Sequence, residues 1–288
     1  MEYCRFLMVA FLSLVFFFPV SFGWGIDGHF TVCKIAQSRL SKAAADAVQE
    51  LLPEFAQGDL ASVCIWADRV KFRYHWSSPL HFIDTPDSLC TYQYDRDCKD
   101  EAGEKGRCVA GAINNYTSQL LTYNTQPSNS EYNLTEALLF LSHFMGDIHQ
   151  PLHVGFTGDR GGNTIDIHWY TRKQNLHHVW DSNIIETAEG KFYDFSVDGL
   201  VDAIQTNITN EWADQVEEWE KCGSDEVPCT EIYASESIQA ACDWAYKGVS
   251  EGSTLAERYF ASRVPVLNLR LAQGGVRLAA ALNRIFGS

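Results

Sequence analysis

Apolar residues recur along most of this chain every third or fourth position, the period of an amphipathic helix. The pattern predicts helices over Ile35 to Leu52, ended by Pro53, and over Ser62 to Trp76, ended before Pro79. Further helices are predicted over Gly106 to Tyr123, Leu134 to His149, Asn175 to Thr187, Asp194 to Glu220 with an internal break, Thr230 to Val249, and Thr254 to about Arg284. Thr135, ahead of an Ala/Leu-rich run, is a start signal. Strand alternation is found in Thr164 to Tyr170, which follows Gly161-Gly162 and predicts a short hairpin. Asp84 to Lys105, rich in Asp, Cys and Gly, reads as a disulfide-pinned loop. With no repeat and no domain-sized linker, the expectation is one mainly α domain over residues 24–288, the tail from about 274 to 288 being a candidate for removal.

Residues 1–23 read as a signal peptide: Arg5, an apolar run from Phe6 to Val20, then Ser21-Phe22-Gly23. The run is shorter than the roughly 20 residues that span a bilayer. Cleavage is expected before Trp24, for delivery along the secretory pathway to the apoplast, a vacuole or an ER-derived compartment. Eight cysteines then remain: Cys33, Cys64, Cys90, Cys98, Cys108, Cys222, Cys229 and Cys242. An even number in an oxidising compartment predicts four disulfides, with roughly 105 connectivities open. The short-range pairs Cys98–Cys108 and Cys222–Cys229 are the easiest to close. N-glycosylation sequons at Asn115, Asn133 and Asn207 suit the same compartment.

The net charge of −15 argues against an extended nucleic-acid groove. It does not exclude an enzyme acting on phosphodiesters, because clustered metal ions can reverse the sign of a site. The run His143-Phe-Met-Gly-Asp147-Ile-His149-Gln-Pro-Leu-His153, followed by His177-His178-Val-Trp-Asp181, offers such ligands. Imidazole and carboxylate are what zinc takes when thiols are not offered. His143/Asp147, His149/His153 and His177/Asp181 each have the spacing that puts two side chains on one helix face. Three pairs exceed the needs of one ion, so a multinuclear site is expected. Trp24-Gly-Ile-Asp-Gly-His29 would follow the cleavage point, where a free α-amine with a pKa near 7.7–8.0 could serve as a ligand beside His29.

These residues, with Ala67-Asp68, Ser78-Pro79-Leu80-His81-Phe82-x-Asp84, Gly161-Gly162-Asn163 and Asn175-Leu176-His177-x-x-Trp180-Asp181, resemble the zinc-dependent bifunctional (type I) nucleases of plants and fungi. The resemblance runs from Trp24 to about residue 275. It implies the helical fold shared with zinc-dependent phospholipase C, three Zn2+ ions, and cleavage of single-stranded DNA and RNA with removal of 3′-phosphates from 3′-nucleotides. It assigns Asp68, His81, His143 and Asp147 to one zinc, the amine and carbonyl of Trp24 with His29 and Asp147 to a second, and His153, His177 and Asp181 to the third. His149 is read as structural or as a support for the ligands, and His178 as outer or surface. In this reading water activated by the metal pair attacks phosphorus in line and leaves 5′-phosphate products. Asp68 orients the water or takes its proton, and Lys71 lies near the phosphate. Phe82 and Asp84 clamp a base, and Asn163 touches the substrate. A clamp that needs an unstacked base explains a preference for single strands.

The main alternative is a zinc-dependent phospholipase C acting on lipid phosphodiesters. Phe82-x-Asp84, the cysteine pattern and the lack of an apolar docking stretch argue against it. A non-catalytic metal store would need no base clamp. A di-iron carboxylate bundle would need Glu-x-x-His pairs. The expected protein is a monomer without stable membrane association.

Overall fold

The computed structural model describes residues 24–125, 132–223 and 227–287, so the signal-peptide segment lies outside the described residues. Twelve α-helices are present among them. The first half holds α1 (Ile26–Ser38), α2 (Lys42–Leu51), α3 (Trp66–Val70), α4 (Tyr94–Asp97), α5 (Val109–Leu120) and α6 (Leu134–Asp147). The second holds α7 (Leu176–His178), α8 (Ile184–Phe192), α9 (Val197–Thr209), α10 (Ala213–Glu220), α11 (Thr230–Ala240) and α12 (Glu257–Phe286). A small sheet of order β2-β1-β3 combines the hairpin β1 (Asp166–Trp169) and β2 (Arg172–Asn175) with β3 (Thr254–Leu255), which runs parallel to β1. The mainly α expectation and the hairpin are both met.

Several predicted helices prove to be divided. The Ile35–Leu52 period spans two helices, because Ser41 caps a new one by accepting from the amide of Ala44 at 3.2 Å. Ser62–Trp76 is broken into 3₁₀ turns around the five-residue α3. The Asn175–Thr187 helix begins one residue later, passes through a π turn at Val179–Asn183, and extends to Phe192. Thr230–Val249 passes into a second π turn at Ala241–Ala245. The long C-terminal helix holds despite Pro265. The carbonyl that this proline leaves without an amide is that of Ala261, which is exposed to solvent.

α12 packs along α1, and α6 lies in the core with every residue from Ala137 to Asp147 buried. Four disulfides close the loops: Cys33–Cys64, Cys90–Cys242, Cys98–Cys108 and Cys222–Cys229. Two of them are the predicted short-range pairs. The Asp84–Lys105 loop is pinned as expected, by Cys90 to the second π turn and by Cys98 at its far end. Among the described residues no helix is long and apolar enough to cross a membrane.

Behind the C-terminal end of α6 lies a partly buried ionic network. Glu236 on α11 accepts from Arg277 at 2.5 and 2.8 Å and from Arg270 at 2.7 Å. Arg270 also donates to the carbonyl of His149, and Arg277 lies 3.0 Å from His149 Nε2. Ser237 Oγ donates to the carbonyl of Ile148. The backbone just after Asp147 is therefore fixed by charged and polar groups from two other helices.

Candidate metal centre

Asp147, the last residue of α6, is fully buried at the focus of four imidazoles. Its Oδ2 lies 2.9 Å from His81 Nδ1 and 3.2 Å from His143 Nε2, and its Oδ1 lies 3.3 Å from His29 Nε2 and 3.5 Å from His153 Nδ1. Asp68 on α3 adds its carboxylate 3.7 Å from His81 and from His143. His29 stacks on His143 with ring centroids 3.8 Å apart. It can approach α6 only because residue 146 is glycine, since a Cβ there would stand 2.7 Å from His29 Nδ1. A second group lies alongside, with His177 Nε2 3.3 Å from Asp181 Oδ2 and His153 Nε2 3.9 Å from Asp181 Oδ1. Three sets of ligand atoms fall close enough to share an ion: His29/Asp68/His143, His81/His143/Asp147 and His153/His177/Asp181. The first two share His143 and form one continuous cluster.

Backbone carbonyls hold three of the rings. Nδ1 of His143 donates to Cys64 O at 2.8 Å, that of His153 to His81 O at 2.7 Å, and that of His177 to Gly161 O at 2.6 Å. Each bond fixes the tautomer that leaves Nε2 as a lone-pair donor pointing inward, the usual support for a metal-binding imidazole. Gly161 has φ +62°, and a Cβ there would stand 2.3 Å from Leu152 O, so a side chain at this position would dislodge the carbonyl that holds His177. Gln150 Nε2 donates to Asp181 Oδ1. The carbonyls and Gln150 carry no signature in sequence spacing.

The donor set fits metal ions. Nε2 of His29, His81, His153 and His177, with Asp68 Oδ2 and Asp147 Oδ1, are buried without a hydrogen-bond partner. Two donors on one tetrahedral zinc, each roughly 2.0–2.1 Å from it, stand about 3.3 Å apart, close to the spacings seen here. Burial, then the charge of His143, pushes the His29 imidazole down to about 4. Burial, then His153, takes His177 down to about 3. Both rings are thus neutral, as ligands must be. Burial, followed by the neighbouring carboxylates Asp68 and Asp147, drives the Asp181 carboxyl well above its usual range against the bond from Gln150. Three carboxylates in one buried volume call for cations to offset them.

Trp24 is fully buried, and the amide of Gly25 donates to Asp181 O at 2.8 Å, which brings the predicted new N-terminus to the turn that carries Asp181. Lys71 Nζ lies 3.0 Å from Asp68 Oδ1. After His81 the chain runs extended beside residues 153–157. Ile83 N donates to His153 O at 2.7 Å and Thr85 N to Gly155 O at 3.0 Å. His81, Ile83 and Thr85 are buried, whereas Phe82 and Asp84 alternate with them and are half-buried. Burial raises the Asp84 carboxyl, Glu101 adds to the rise, and Arg160 opposes it. Asn163 donates to the carbonyl of Arg160 at 2.8 Å. His149 and His153 do not share a helix face, because α6 ends at Asp147. His149 turns instead to Arg277. His178 is half-buried, outside the three groups.

A mainly helical protein whose buried imidazoles and carboxylates converge with free lone pairs has the making of a metallohydrolase. Residues 24–287 match the model of the S1/P1 nuclease family, and the chain belongs to that family. It is 67% identical over 282 residues to Endonuclease 2 of Arabidopsis thaliana, covering 98% of this chain and 97% of that one. It is 35% identical to Nuclease S1 of Aspergillus oryzae, over 92% of this chain and 93% of that one. To Nuclease P1 of Penicillium citrinum it is 33% identical, over 92% and 98%. The chain is therefore a nuclease, a phosphodiester hydrolase whose substrates are nucleic acids.

Proposed function

We propose that this protein is a secreted, monomeric, zinc-dependent endonuclease. It hydrolyses single-stranded DNA and RNA to 5′-phosphate products and also removes the phosphate of 3′-nucleotides. The observation that carries the reading is the convergence of unpartnered ligand atoms at Asp147, beside the extended strip bearing Phe82 and Asp84.

Asp68, His81, His143 and Asp147 would hold one zinc. The amine and carbonyl of Trp24, His29 and Asp147 would hold a second. His153, His177 and Asp181 would hold a third. Such ions supply Lewis acidity: an activated water near neutral pH and charge neutralisation on phosphorus and the departing 3′-oxygen. Asp68, whose partner is Lys71, orients the attacking water or accepts its proton. The Lys71 ammonium offsets phosphate charge. Attack in line breaks the P–O3′ bond, so the phosphate stays on the 5′ side of the product. Phe82 stacks a base, Asp84 accepts from its edge, and Asn163 contacts the strand. Residues 1–23 direct the chain into the secretory pathway, and their removal creates the Trp24 amine. Asn115 and Asn133 are exposed and Asn207 half-buried, which suits glycosylation.

The test is a mass spectrum of products from a single-stranded oligonucleotide treated with the processed protein, with and without chelator. Chelator-sensitive release of 5′-phosphorylated products supports the reading. Products carrying 3′-phosphates, or turnover that ignores the chelator, would overturn it.

A further inference from the structure

The chain is strongly acidic, yet one groove on its surface is lined by cations. It has a volume of about 610 Å³, and its walls include Trp244, Lys247, Arg258, Tyr259 and Arg263, with no carboxylate. Ligand sites commonly occupy roughly 300–1,000 Å³. Lys247 and Arg258 are exposed. The nearby acids are engaged elsewhere: Glu257 with Lys191 and Tyr170, Asp243 with Gln239, and Glu251 with the amide of Asp166. The groove wall itself thus carries three cations and no carboxylate, in a molecule of net charge −15.

The groove is built and not merely charged. Arg263 donates to the carbonyls of Trp244 at 3.1 Å and Lys247 at 2.8 Å, fixing the turn between them. Its guanidinium lies 4.3 Å from the centre of the Tyr259 ring and 5.9 Å from that of Trp244. Trp244 keeps 40% of its surface exposed, so an aromatic face is presented beside fixed positive charge. The first turn of α12 opens nearby without a side-chain cap, and its amides add potential of the same sign. Cations beside an open aromatic face match a phosphodiester backbone with unstacked bases.

The groove is also tied to the metal centre. Tyr259, in its wall, accepts from Trp180 Nε1 at 2.9 Å and donates to Ala245 O at 2.8 Å. Trp180 immediately precedes Asp181. We infer that this groove is a secondary binding site for single-stranded nucleic acid, remote from the scissile bond, in which Lys247 and Arg258 hold phosphates and Trp244 stacks a base. The inference rests on the single-strand nuclease reading. It predicts that long strands gain affinity which dinucleotides lack.

The experiment measures steady-state kinetics of the zinc-loaded enzyme on a dinucleotide and on a 20-nucleotide single strand, for wild type, Lys247→Glu/Arg258→Glu and Trp244→Ala. The charge reversal is expected to raise KM for the long strand about tenfold and leave kcat and all dinucleotide parameters unchanged. Its salt slope for the long strand should fall by about 1.4, two phosphates at roughly 0.7 each. Trp244→Ala should raise the same KM about fivefold or more, with the salt slope retained. Equal KM changes on both substrates, or none on the long strand, would overturn the inference. Wild-type turnover of the dinucleotide reports separately on the nuclease reading. Unchanged dinucleotide turnover also shows that each variant is folded.

Discussion

The Nδ1–H of His143 is held by the carbonyl of Cys64, 2.8 Å away, and Cys64 is itself bonded to Cys33. Cys33 lies one helical turn after His29, and Cys64 precedes Asp68 by four residues. One disulfide therefore ties together the segments that carry three candidate ligands. Cys33→Ser/Cys64→Ser should cost roughly 2–5 kcal/mol in stability. It should also lower metal content below that of the wild type at equal free zinc. Calorimetry and metal analysis of the folded variant check this. Undiminished metal affinity would confine the disulfide to a purely mechanical role.

The Trp24 amine is the most exposed of the ligand proposals. A form that starts at Gly23 replaces that amine with a peptide nitrogen, which does not ligate a divalent ion at neutral pH. It should bind one zinc fewer and lose most of its activity. Full zinc content with full turnover would remove Trp24 from the ligand set.

Phe82→Ala should raise KM for single-stranded substrates by about 10-fold, from roughly 1–3 kcal/mol of lost stacking per base. Asp84→Asn replaces an acceptor with a mixed donor and acceptor, so it should change the order of preference among the four bases. Kinetics on homopolymeric oligonucleotides separate the two effects. A fall in metal content in either variant would point to structural damage and away from a base clamp.

Glu236 supplies the pH dependence. Burial works to raise its carboxyl, but the hydrogen bonds and charges of Arg277 and Arg270 prevail and hold it below its ordinary value of 4.5. A depressed carboxyl stabilises the fold above its unfolded pKa, and that contribution fades as pH falls through the folded value. Glu236→Gln should thus lose Tm at pH 7 and converge on the wild type in acid. The cost is about 2–3 kcal/mol, below that of a fully buried pair because the Glu236 side chain is 35% exposed. A Tm difference that stays constant from pH 7 to pH 3 would contradict this account.

Much of the candidate site was legible because its chemistry is carried by residue type and spacing. His143/Asp147 and His177/Asp181 are each four apart, and the structure brings both pairs within 3.3 Å. The same rule failed for His149/His153, since it presumes one unbroken helix and α6 stops at Asp147. The supports of the site were hidden for a different reason. Cys64, His81 and Gly161 act through backbone carbonyls, which every residue possesses, so nothing in their side chains announces the role. Long-range partners were equally silent. Glu236 meets Arg277 across 41 positions, and Cys90 meets Cys242 across 152, distances over which periodicity carries no information. Helix ends were missed where a local cap such as Ser41 interrupts a continuing apolar period.

The packing of α12 along α1 has a consequence for the metal centre. α1 carries His29, and the helix packed along it belongs to a distant part of the sequence, Glu257–Phe286. Without that cover the apolar face of α1 would open to water and the hold on His29 would loosen. The seat of one candidate ligand therefore depends on a helix that carries none of them.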